Sequence, residues 1–153
     1  MIFDRTQEDV KKAMSLIESK VKQFRELTES EIEILEKGTL TINTLNRIED
    51  KISEVKELIN EIGYWNAKIY TNSWNYLETF TGTNFFILLS SISDLVKAFY
   101  VYSDTPSVPS ASYHYSVFNA LEKILYDLSS RIEDMRGRFR QCGTFQCGEA
   151  NEN

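Results

Sequence analysis

With 153 residues, 42% of them hydrophobic and 26% charged, and two prolines, the chain has material for one domain with its own core and lies outside the disordered, collagen-like and disulfide-dense classes. A net charge of -6 disfavours a nucleic-acid backbone as partner, because that affinity comes from clustered Lys and Arg. Charges at Asp4 and Arg5 stand where an export signal has an apolar run, and the most apolar stretch, residues 84–101, is broken by Ser90, Ser91, Ser93, Asp94 and Lys97, so neither export nor membrane insertion is expected.

Asp9 follows Thr6 at capping-box spacing, and Val10, Met14, Ile17, Val21 and Phe24 recur at steps of four and three, which predicts a first helix with an apolar seam. Thr28 and Glu31 repeat the capping pattern ahead of Ile32 and Leu35, with Gly38 as a C-terminal cap. Leu45, Ile48, Ile52, Val55, Ile59 and Ile62 step by three and four until Gly63, the clearest helix in the chain. Such seams either close a bundle within the chain or pair with a partner helix.

Composition then shifts. Residues 64–118 hold five charged residues but 14 of the chain's 19 aromatics. Their first part, residues 64–82, mixes Trp65, Tyr70, Trp74, Tyr76 and Phe80 with Asn and Thr and reads as an irregular segment. Phe85, Leu88, Leu89, Ile92, Leu95, Val96 and Phe99 predict a further helix, which Thr105-Pro106 follows. Pro106 and Pro109 make a stiff connector. Val117, Leu121, Ile124, Leu128, Ile132, Met135 and Phe139 line a last helix. The expectation is a mainly α fold: one bundle of three to four main helices over residues 1–141, an irregular aromatic insertion, and a short hairpin-like tail over 142–153.

Catalytic chemistry finds little footing. The single histidine, His114, has no glutamate three residues before it, so the Glu-x-x-His pairs of a di-iron bundle cannot be built. No nucleophile elbow or phosphate-binding glycine loop is present, and the glutamates of residues 29–36 read as a solvated helix face. No enzyme activity and no cofactor are expected. Trp65, Tyr70, Trp74, Tyr76 and Phe80 form a candidate interface, with core filling and sugar stacking as the other readings. Cys142 and Cys147 read first as a structural pair, free or disulfide-bonded; a metal site shared between subunits and a redox role are the alternatives. Gly143 and Gly148 suit a tight turn around them.

One pattern runs along most of the chain: Asp4-Arg5-Thr6-Gln7 with Asp9-Val10; Thr44-Leu45-Asn46-Arg47-Ile48-Glu49 opening a helix that ends at Gly63-Tyr64; Trp74; Thr105-Pro106 and Pro109; Asn119-Ala120-Leu121-Glu122-Lys123-Ile124-Leu125; and a closing Cys142-Gly143 with Gly148-Glu149. In this it resembles small tail, baseplate and tail-fibre proteins encoded by phages and prophages of Gram-positive bacteria. The resemblance implies a non-enzymatic structural component, assembled in the host cytoplasm and carried in the virion or tail particle. Its partners would be other tail, baseplate or fibre proteins, and a homo-oligomer in a threefold or sixfold setting is expected. A wall-carbohydrate recognition module of the tail is the alternative. Arg47 and Glu49, one turn inside the strongest helix, are placed to make a local cap or a surface salt bridge.

Overall fold

The computed structural model describes residues 1–62, 69–75 and 77–142, the side chains of 139–142 excepted. It is mainly helical, as the periodicity predicts: α1 (Gln7–Ser19), α2 (Glu29–Gly38), α3 (Ile42–Glu61), α4 (Gly82–Ala98) and α5 (Tyr115–Cys142). No strand occurs among the described residues. None of these helices is long and apolar enough to cross a membrane.

Local chemistry sets most of the helix starts. At α1 the Thr6 N–H donates to Asp9 Oδ2 (2.8 Å) while the Asp9 N–H donates to Thr6 Oγ1 (3.3 Å), a reciprocal capping box. Thr81 and Asn84 repeat the exchange at α4, and Thr41 Oγ1 accepts from the Thr44 N–H at α3. Ahead of α5, His114 Nδ1 accepts from the Ser116 N–H (3.4 Å) and pairs with its hydroxyl (2.7 Å).

The core lies between α3, α4 and α5, whose seams meet in one cluster. Ile48, Ile52, Val55 and Ile59 from α3 and Leu121, Ile124, Leu128 and Ile132 from α5 are fully buried, with Phe85, Leu88, Ile92 and Leu95 from α4 closing the third side. The connector after α4 is strapped to α5 by the Thr105 hydroxyl on Asp127 Oδ2 (2.8 Å), the Tyr102 hydroxyl on Asp134 Oδ2 (2.7 Å), and the Arg131 guanidinium 5.1 Å from the Tyr102 ring centre.

The N-terminal third departs from its seam. α1 stops at Ser19, a 3-10 turn over Val21–Gln23 follows, and Phe24 sits in the left-handed region at φ 51° with 97% of its surface exposed. The α1 and α2 helices pack chiefly on each other as a hairpin, with little of either laid on the three-helix core. Gly38 is the last residue of α2 rather than its cap. Its value is the absence of a Cβ: one built there would press into the Asp9 carbonyl oxygen and the Ala13 side chain, so the hairpin crosses at backbone contact.

Candidate functional site

Two polar arrangements interrupt the apolar interior. The first is a clasp around Glu122, which α5 carries beside Leu121 on its buried face and which is completely enclosed. Glu122 Oε1 accepts from Arg5 Nη2 (2.6 Å) and Arg47 Nη2 (3.0 Å), and Oε2 accepts from Arg47 Nε (3.4 Å) and the backbone N–H of Ile2. Arg5 Nη1 also donates to the Ile2 carbonyl. Asn119, one turn before Glu122, takes the Arg5 N–H on its Oδ1 (3.2 Å) and donates Nδ2 to the Arg5 carbonyl (2.8 Å). Both carboxylate oxygens are thus occupied by donors, which ties the N-terminal segment and α3 to α5 and leaves no free base there.

The second lies on the opposite flank of α3. Asn46 clamps the backbone of Trp74 as Asn119 clamps Arg5: Nδ2 donates to the Trp74 carbonyl (3.0 Å), and Oδ1 accepts the Trp74 N–H (2.6 Å). Trp74 is thereby held inside the fold, edge-on to Phe80 at 5.2 Å. Below it sits Glu49, 6% exposed. Its Oε2 and the indole Nε1 of Trp74 are both buried without a hydrogen-bond partner. The indole N–H is near enough to favour the ionised carboxylate, as is the Asn72 backbone, yet desolvation outweighs both and raises the Glu49 pKa above its ordinary 4.5. Glu49 and Trp74 are among the residues lining a cleft of about 220 Å³, with Tyr70, Thr71, Asn72, Asn84 and Ile87.

A pH dependence follows from Glu49. The folded chain holds this proton more tightly than the unfolded one, so Glu49 lowers stability as pH rises from 4.5 through its raised value, and the cost is complete above it. Glu49→Gln is expected to raise the unfolding free energy at neutral pH by on the order of 1 kcal/mol, a gain of about 2–4 °C in melting temperature. Thermal melts of the two proteins across pH check this: the gap should close below 4.5. Subtracting the two profiles cancels Asp4, Asp9 and Glu31, whose pKa values are lowered, mainly by bonds from Lys37, Thr6 and Lys20 respectively, and which act in the opposite sense.

His114 lines a separate pocket of about 300 Å³ between the hairpin and the start of α5, together with Arg5, Val10, Gly38, Tyr113 and Phe118. The His114 and Ser116 pair resembles half of a hydrolase triad, but both residues are exposed and serve the α5 start, and no carboxylate bonds the other ring nitrogen among the described residues. No group of three or more His, Cys, Asp or Glu capable of holding a metal occurs among the described residues.

The expected site residues scatter. Of the candidate interface, Trp74 is buried and Phe80 half-buried in the chain's own core, while Tyr70 is exposed; Trp65 and Tyr76 lie outside the described residues. Gly63, Tyr64, Gly143, Cys147, Gly148 and Glu149 also lie outside them, as does the side chain of Cys142, so the cysteine clip and hairpin tail carry no geometry. Asp4 accepts from Lys37 at 2.9 Å on α2, Leu45 is buried at the start of α3, and Pro106 and Pro109 sit half-buried in the connector. Arg47 and Glu49 make no local pair: two positions apart, they point to opposite flanks of α3, Arg47 to Glu122 and Glu49 to the Trp74 cleft. Sequence reading missed both polar arrangements. The available signal was a glutamate inside each apolar seam, Glu49 beside Ile48 and Glu122 beside Leu121.

No protein-family model matches the chain, and neither a curated protein nor a solved structure matches it. No family membership follows from these comparisons.

Proposed function

We propose that the chain is a non-enzymatic structural component of a phage or phage-derived tail or baseplate, docking neighbouring tail and fibre proteins through the α1–α2 hairpin. The observation that carries this reading is a set of exposed apolar side chains on that hairpin and its turn. Met14, Val21 and Phe24, which recur at helix-pairing intervals, remain 52%, 40% and 97% exposed, joined by Ile32 on α2 at 44%. Large apolar side chains left exposed on α1, α2 and the turn between them fit a surface that a partner covers. The sequence resemblance supplies the kind of partner, and multiple copies in threefold or sixfold symmetry fit such a particle.

The test is association. Light scattering at micromolar concentration, with and without reductant, should give a trimer or larger ring, and the chain should co-sediment with purified tail particles. Combining Phe24→Glu with Met14→Lys should abolish both without lowering the melting temperature, since both side chains are exposed. A strict monomer that is absent from the particles would overturn the proposal.

A further inference from the structure

We propose that the pocket at the start of α5 receives the C-terminal tail of a second copy of the chain, with the Phe145 ring as the inserted group. The pocket holds about 300 Å³ between the hairpin and the core. Ligand clefts span roughly 300–1,000 Å³, so this one has room for a single aromatic side chain and the backbone that carries it rather than for a helix. Its α5 side is a fixed aromatic wall. Tyr113 and Phe118 both stack on Phe85, at 5.1 and 5.6 Å between ring centres and 21° between planes, yet Tyr113 stays 59% exposed. Val10 and Leu40 complete the apolar lining. A wall set in place beforehand takes an aromatic side chain at little ordering cost.

Two observations select the occupant, and the first is charge. No Asp or Glu lines the pocket among the described residues, although the chain as a whole carries a net charge of -6. Arg5 does line it, and the clasp there sets two guanidiniums, those of Arg5 and Arg47, against the single carboxylate of Glu122. Residues 143–153 lie outside the described residues, but their sequence is complementary: Phe145 is their one aromatic, followed by Glu149 and Glu152, with no Lys, Arg or His. Phe24, at 97% exposure the other candidate, is flanked instead by Lys22 and Arg25.

The second observation is reach. The 28 residues of α5 make a helix about 42 Å long, with the pocket at its start and the tail leaving its end. Phe145 follows Cys142 by three residues, which span about 10 Å when fully extended. The pocket of the same chain is out of reach, so the contact joins two copies. Because it pairs opposite ends of α5 it is head-to-tail, and such a contact builds a ring where the rotation closes.

This inference deepens the docking reading and rests on the self-association expected there, through side chains other than Met14 and Phe24. In the experiment a fluorescent peptide of residues 143–153 is titrated, under reductant, into the full chain carrying Phe145→Ala, whose own tail no longer competes. Anisotropy should show saturable binding with Kd below about 1 mM, weakened by at least about tenfold for a peptide with Phe145→Ala and for a chain that also carries Tyr113→Ala. Glu149→Gln with Glu152→Gln in the peptide should weaken it several-fold. Because Tyr113 packs on Phe85, isotope-filtered NMR adds a readout that needs no change in the wall: the peptide's Phe145 ring should contact Tyr113 and Phe118. Phe24→Glu with Met14→Lys should leave peptide binding unchanged, so absent peptide binding beside intact co-sedimentation with particles overturns this inference and not the docking reading. Equal binding of the Phe145→Ala peptide, or ring contacts to residues outside the pocket, would overturn it too. So would self-association that persists in Phe145→Ala and is lost in Tyr113→Ala, which would seat a different segment in the pocket.

Discussion

Replacing Glu122 with alanine is expected to lower the unfolding free energy by about 3–5 kcal/mol, a large part of the roughly 5–15 kcal/mol that holds a typical domain together. The argument rests on what stays behind. The Arg5 side chain is 3% exposed, and its charge is answered at 2.6 Å by a carboxylate that is itself fully enclosed. Without that carboxylate, Arg5 is a buried cation with only the Asn119 and Ile2 oxygens for partners, and the Ile2 N–H loses its acceptor. Arg47 is 26% exposed on its side chain and can turn to water, so it contributes less of the penalty. Arg5→Met with Glu122→Leu should therefore recover most of what Glu122→Ala loses, because apolar replacement of a whole buried pair is near neutral. Urea denaturation of the three proteins decides the matter. A loss under about 1 kcal/mol in Glu122→Ala would mean that the clasp is solvated.

The clasp also shows where sequence reading reaches its limit. The α3 seam was legible because Leu45, Ile48, Ile52, Val55 and Ile59 are spaced for one face, and all five are buried. Helix starts were legible at Thr6 and Thr28 because capping is chemistry within four residues. Glu122 and Arg5 are 117 positions apart, and no local pattern reports such a pairing. The same holds for Glu49: spacing places it near Arg47, but a helix turns about 100° per residue, so a pair two apart faces opposite ways. The seam of α1 failed from the other side. Its period continues through Val21 and Phe24, yet no core element lies close enough to reward the continuation, and the chain turns at Lys20 instead.

Gly38→Ala is the test of how the hairpin is joined, and a net loss of about 2 kcal/mol is expected. Two effects oppose each other. Alanine in place of glycine in a helix gains at most about 1 kcal/mol, and less at the final residue of α2. Against this, the new methyl would lie closer than 3.0 Å to the Asp9 carbonyl oxygen, a backbone atom that cannot swing aside, as well as to the Ala13 side chain. The helices must separate, so the clash wins. Because α1 and α2 pack chiefly on each other, amide exchange should quicken across the hairpin while α3 and α5 keep their protection. Gly82→Ala, with nothing within 4 Å of the added carbon at the start of α4, is the control and should be neutral or slightly stabilising. For the proposed association with particles, weakening by Gly38→Ala while Met14, Val21 and Phe24 are untouched would mean that it depends on the hairpin's shape as well as its apolar side chains; intact association with a loosened hairpin would place the proposed contact on single side chains.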